Sequence, residues 1–123
     1  MKFSLAIYSP PEASGNAEIA LQFAAEVLRQ GHSIYRLFFF NDGVLNCAQS
    51  DLAVCQQWRQ LIQQYNLDAI ACVASAEKRG LQSFDTKQTN LPAKTINPIF
   101  TIGGIAQLID ASVNSDRVIT FAG

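Results

Sequence analysis

Histidine is almost absent from this sequence, which carries only His32 in 123 residues. That scarcity excludes a histidine-rich metal site. The position of His32, at a turn between a helix and a strand, also removes it as a partner for a catalytic thiol. Charge of one sign is equally scarce: nine Lys plus Arg stand against ten Asp plus Glu, for a net charge of -1. The basic residues are scattered, so the chain has no footprint for direct nucleic-acid binding. No apolar run approaches the roughly 20 residues of a membrane helix. Residues 1 to 8 are too short for a signal-peptide core, so a soluble, cytoplasmic protein is expected.

The three cysteines, Cys47, Cys55 and Cys72, cannot all pair with one another, and they lack C-x-x-C or Cys/His spacing. This argues against a structural zinc site and against a secreted disulfide framework. Glycine is sparse where phosphate cradles need it. The first loop, residues 9 to 16, has one glycine and matches neither G-x-G-x-x-G nor G-x-x-x-x-G-K-[ST]. A nucleotide-binding, flavodoxin-like module is therefore the weaker reading, and no cofactor is expected.

What the chain does have is apolar residues, at 49%, with only 15% charged. That balance suits one globular domain, residues 1 to 123, with a sizeable core. Residues 2 to 8 read as a strand covered on both faces. Ser14, Gly15 and Asn16 are candidate caps for a helix with Ile19, Ala20, Phe23, Ala24, Val27 and Leu28 inward, and Gly31 stops it. The aromatic run 34 to 40 is a second strand, ended by Asn41-Asp42-Gly43. Residues 44 to 50 read as a loop holding Cys47. Asp51 or Ser50 caps a second helix with Leu52, Cys55, Trp58, Ile62 and Tyr65 inward, and a third strand, 69 to 73, leads into a short helical segment ended by Gly80. Residues 81 to 98 break the rhythm with polar residues and two prolines. A short strand over 98 to 102, a helix with Ile105, Leu108, Ile109 and Val113 inward, and a strand over 117 to 121 complete the chain. The repeated strand-helix order predicts an α/β fold, a three-layer α/β/α sandwich with a mainly parallel sheet of about five strands.

In such sheets reactive groups gather outside the carboxyl ends of strands. Cys72 is the nucleophile-type side chain that the pattern places there. Helix N-terminal amides stabilise a thiolate, and Lys78 or Arg79 would add positive potential. The alternative is an inert core cysteine. Cys55 shares a helix face with Trp58 and reads as packing, and Cys47 as a tolerated loop thiol with a possible place near the same edge. Gly103-Gly104 reads as a tight strand-helix junction rather than an anion site. Asp42, Asp51, Glu77 and Asp85 show no paired-carboxylate spacing and read as solvated or capping groups.

Assembled in order, Phe38-Phe39-Phe40-Asn41-Asp42-Gly43-Val44-Leu45-Asn46, Cys72-Val73-Ala74-Ser75-Ala76-Glu77-Lys78-Arg79-Gly80, Phe100-Thr101-Ile102-Gly103-Gly104-Ile105 and the ending 115 to 121 resemble the DsrE family of small sulfur-relay proteins over nearly the whole chain. The resemblance implies a sulfurtransferase in which Cys72 carries sulfane sulfur as a persulfide and passes it to a partner protein's cysteine, on the route to 2-thiouridine in tRNA or in sulfur oxidation. It requires no cofactor. It also implies sulfur-donor and sulfur-acceptor proteins as partners, and either a hetero-oligomer with homologous small α/β subunits, TusB- and TusC-like, or a homo-oligomer. A non-catalytic subunit packed against an active homologue is the other class of function it leaves open.

Overall fold

The computed structural model describes residues 1–82 and 94–122. The apolar run Lys2–Ile7 forms β1, and Ser33–Phe39 forms β2, with helix α1, Asn16–Arg29, between them. Helix α2, Ala53–Tyr65, leads to β3, Ala69–Cys72, and the six-residue α3, Val73–Lys78. Strand β4, Thr101–Gly103, helix α4, Ile105–Asn114, and β5, Arg117–Phe121, follow. The five strands form one sheet in the order β4-β3-β2-β1-β5, and every pairing is parallel.

That order dictates the layers. Right-handed crossovers that step from β1 to β2 to β3 leave α1 and α2 on one face, and the step back from β4 to β5 sends α4 across the other. Contacts agree with this division. On the first face, Leu5, Ile7, Leu37, Phe39, Ala69 and Ala71 join side chains of α1 and α2 in the main core. Trp58, fully buried, meets Phe39 edge to face with ring centroids 5.2 Å apart. Aromatic pairs of this kind add about 0.5–1.5 kcal/mol to the burial itself.

The second face is held differently. Between Phe3 and Ser4 the pairing with β2 slips by one residue, so Tyr35 has no counterpart on β1. The extra residue lets Tyr35 and Arg36 both reach α4. The Tyr35 hydroxyl donates to Asp110 at 2.6 Å, while Arg36 donates to Asp110 at 2.9 Å, to the Gln107 carbonyl at 2.8 Å and to Asp68 at 2.7 Å. The hydrogen bond from Tyr35 is the main reason that the Asp110 carboxyl titrates below its ordinary range.

Several elements depart from expectation. Residues 44 to 50 are not an open loop, because Asn41–Cys47 winds as a 3-10 turn. Gly43 explains how tightly that turn sits: a Cβ there would overlap the Ile7 carbonyl oxygen. Asn46, fully buried, donates to the carbonyls of Ser9 and Gly43 and ties the turn to the end of β1. The fourth strand is short and shifted to Thr101–Gly103, since Asn97 turns the chain by accepting from the Ile99 amide. Ile19, Leu52 and Tyr65, expected inward, are exposed, and Leu21, Val54 and Leu61 are buried in their place. Helix α4 turns most of its expected face outward, and of the four residues expected inward Leu108 alone is half-buried. Ile105, Ile109 and Val113 are 61%, 59% and 77% exposed, and Ala111 is its buried residue.

The tight seat of the 3-10 turn has a measurable consequence. Replacing Gly43 by Ala should lower unfolding free energy by about 2 kcal/mol or more in urea titration, the cost of overpacking against backbone. Gly104→Ala, where a Cβ meets nothing within 4 Å, should stay within about 0.5 kcal/mol of the parent.

Candidate functional site

Strand β3 is flanked by β2 and β4, and its register fixes the thiol. Ile7 pairs with Phe39, Phe39 with Ala71, and Cys72 with Gly103. One residue beyond the first two pairs, the row at the carboxyl edge reads Tyr8, Phe40, Cys72, Gly103. Because side chains alternate along a strand, Ala71 enters the α1/α2 core and Cys72 turns to the face that α4 crosses. Glycine at 103 keeps this corner narrow. A Cβ there would come within 2.7 Å of Ile70 Cγ2 and 3.0 Å of Gln107 Cδ.

Cys72 is also the residue that begins α3. Its backbone is extended, and its side chain makes no capping hydrogen bond. The helix is one and a half turns long, so its dipole is small. Its position is set by the 3-10 turn. Ser75, 6% exposed, accepts from the Asn41 amide at 2.9 Å, and Arg79 reaches Asp42 at 3.0 Å and the Ser75 carbonyl at 3.2 Å. Asn41 adopts a left-handed φ of 51° to make this approach.

These contacts correct two expectations. Asp42 is an ion-pair partner rather than a merely solvated carboxylate. Arg79 is spent on Asp42 and on its own helix, at the far end of α3 from Cys72, so it is not the cation that faces the thiol. Lys78 and Glu77 are exposed at that same end, and Asp51 is exposed ahead of α2. Asp85 lies outside the described residues.

The other thiols are separated from Cys72 by burial. Cys47 is fully buried inside the 3-10 turn, and desolvation holds its thiol in the neutral form, with a pKa well above the ordinary value. It is a core residue, not a loop thiol at the edge. Cys55 is fully buried as expected, directs its sulfur at the Leu45 carbonyl 3.6 Å away, and is likewise raised by burial. Cys72 alone of the three is partly open to solvent. His32 lies at the amino end of β2 with its Nδ1 3.1 Å from the terminal amine, at the opposite edge of the sheet.

Two further features limit what the edge can bind. The chain reverses its strand order between β1 and β5, the place where nucleotides bind in open α/β sheets. There the Ser9 hydroxyl donates to the Phe121 carbonyl at 3.4 Å, and the Asn16 side chain donates to the Ala122 carbonyl. Cys72 stands two strands away. It lines none of the cavities of about 410, 380 and 370 Å³ found among the described residues. The described residues include no group of three or more His, Cys, Asp or Glu side chains placed to hold a metal.

The DsrE/DsrF-like family model matches residues 1–121. The chain belongs to this family. It is 37% identical to DsrE of Allochromatium vinosum, an alignment that covers 98% of each chain. It is 33% identical to the sulfurtransferase TusD homolog of Pseudomonas aeruginosa, over 100% of this chain and 98% of that one. The sulfurtransferase TusD of Serratia proteamaculans is 31% identical, over 98% and 99% respectively. Among solved structures, the ychN protein of E. coli superimposes with a TM-score of 0.71 at 18% identity, covering 98% of this chain and 100% of that one, a likeness of fold. The expected DsrE-like α/β architecture and the family resemblance are thus both found.

The separation of this family member's thiols can be read directly. With an aromatic disulfide reagent under native conditions, one thiol should react rapidly and two should wait for unfolding, slower by about 100-fold or more. Cys72→Ser should abolish the rapid phase, and Cys47→Ser should leave it intact.

Proposed function

We propose that this chain is a sulfurtransferase whose Cys72 carries sulfane sulfur between two proteins. The observation that carries the reading is the accessibility of one thiol, at the carboxyl edge of β3, in a chain whose other two thiols are buried. Names of relatives support the reaction class. Site placement supports the residue.

The step is redox-neutral. The Cys72 thiolate attacks the outer sulfur of a donor protein's persulfide; a new S–S bond forms at Cys72, the donor's S–S bond breaks, and the donor leaves as a thiolate. An acceptor cysteine then repeats the attack on the Cys72 persulfide. Such transfer needs an open edge on which two proteins can dock in turn, and no concave pocket for a small molecule. The Tyr8, Phe40 and Cys72 row supplies that edge. The thiol's place at the start of α3 aims the first-turn amides toward any anion formed there, a small contribution for so short a helix.

We further read residues 1 to 123 as one DsrE-like domain, cytoplasmic, acting on the route to 2-thiouridine in tRNA. Donor and acceptor proteins, with homologous TusB- and TusC-like subunits or further copies of this chain, are its partners. The likeness to DsrE keeps a place in sulfur oxidation as the second destination.

Incubation with a persulfide donor, followed by intact mass spectrometry, tests the reading. The parent protein and Cys72→Ala,

 treated alike, should differ by one sulfur atom, gained by the parent and released again by a thiol reductant. Cys47→Ser should load as the parent does. Equal loading of the Cys72→Ala protein would defeat the assignment, and a parent that gains no sulfur would move the chain to the class of non-catalytic subunits.

A further inference from the structure

Gly103 is the residue of β4 that pairs with Cys72, and it brings no side chain to the pair. Another residue fills the vacant place. A Cβ at Gly103 would stand 3.0 Å from Gln107 Cδ and 3.1 Å from Gln107 Oε1, so the carboxamide of this α4 residue lies over the β4 backbone there. Neighbouring strands run about 4.8 Å apart, and paired residues of a parallel ladder point to one face. The carboxamide is therefore the group beside Cys72 on the β4 side.

Its orientation follows from what it already bonds. The Gly104 amide donates to Gln107 Oε1 at 2.8 Å, the Gln107 amide donates to the Gly104 carbonyl at 3.0 Å, and Arg36 donates to the Gln107 carbonyl at 2.8 Å. A backbone N–H only donates, so the oxygen end of the carboxamide must face Gly104. The NH2 end is left over, and it donates to no group among the described residues. The rest of the corner is apolar. Phe38 and Ile70, both buried, share the face of the thiol with Phe40, and Thr101, the other polar residue on this face of β4, stands beside Ile70 rather than Cys72. An anionic sulfur among such groups needs a polar partner. A persulfide also extends about 2 Å beyond the thiol sulfur, which lets the loaded side chain span the gap between the two strands.

We infer that the Gln107 carboxamide donates an N–H hydrogen bond to the sulfur of Cys72, both in the thiolate and in the anionic persulfide. The inference rests on the reading of Cys72 as the sulfur carrier, and it adds to that reading a residue of α4 that touches the reacting atom. A neutral donor suits the task. It holds the anion without the stronger ion pair that would resist release of sulfur to an acceptor cysteine.

Two substitutions separate this contact from a capping role. Gln107→Glu keeps the oxygen that the Gly104 amide needs and replaces the free N–H by a negative oxygen, whereas Gln107→Ala removes both. Thermal unfolding should leave the Glu protein near the parent and lower the Ala protein by about 4 °C. The sulfur readouts should run in the opposite order. At mildly alkaline pH the thiolate absorbance of Cys72, each protein being measured against its own Cys72→Ser form, should fall by about 2-fold in the Ala protein and about 5-fold in the Glu protein. Persulfide loading followed by mass spectrometry should slow in that same order. A Glu protein that equals the parent in thiolate and in loading, or an Ala protein more impaired than the Glu protein, would overturn the contact and leave Gln107 a helix cap alone. A parent that takes up no sulfur while the thiolate falls in the expected order would defeat the carrier reading and uphold the contact.

Discussion

Parallel pairing of β3 between β2 and β4 is the constraint on which the rest of the molecule depends. Strands that all run one way bring every carboxyl end to one edge, and the chain must return to the other edge before each new strand. Cys72 becomes an edge residue by this rule alone. A thiol one position earlier would face the α1/α2 core, where Ala71 is fully buried. The neighbouring strand must then leave room, and it does so through Gly103, whose missing side chain lets Ile70 and Gln107 close in beside the sulfur-bearing residue. Behind the thiol, the 3-10 turn and α3 are fastened to each other by Ser75, Asp42 and Arg79. Cys72 itself remains partly open to solvent.

The two faces of the sheet are stabilised by different physics. Against α1 and α2 lie Phe39, Leu37 and Ile7 of the sheet, fully buried with Trp58 of α2, and stabilisation there comes from dry apolar area at about 25 cal/mol per Å². Against α4 lie Ser4, Tyr35 and Arg36, which are tied by hydrogen bonds to Ser115, Asp110 and the Gln107 carbonyl. With one buried residue, Ala111, helix α4 gains little hydrophobic stabilisation from its own sheet.

Much of this architecture was legible in the residues. Strand 2 to 8, the aromatic strand after His32, the helices with their glycine stops and the turn of Asn41-Asp42-Gly43 all fall within a few positions of the elements found. The placement of Cys72 at a strand end followed from the same pattern. What could not be read was anything that depends on contacts distant in sequence. Cys47 looked like a loop residue because no local period announces a 3-10 turn; its burial comes from Gly43 seating against β1, a contact across 36 positions of sequence from Ile7 to Gly43. Arg79 looked like a cation available to an anionic sulfur because its neighbours in sequence do not reveal Asp42. The one-residue slip at Tyr35 left no local signal either, since it is a property of the pairing of two strands.

The reversal of α4 has a more general cause. An apolar period of three to four residues reports that one side of a helix requires a dry neighbour, and it is silent on which neighbour supplies it. In α1 and α2 that neighbour is the sheet, because the sheet side is apolar there. Beneath α4 the strands present Ser4, Tyr35 and Arg36, and a helix that turned Ile105, Ile109 and Val113 onto them would strand the Arg36 guanidinium without Asp110 and the Gln107 carbonyl. The guanidinium would keep Asp68 but lose two of its three partners, and hydrogen bonds to a charged group are stronger than neutral ones. The helix therefore turns its polar side inward, and the apolar period that in a lone domain would mark the core marks the outside of this one.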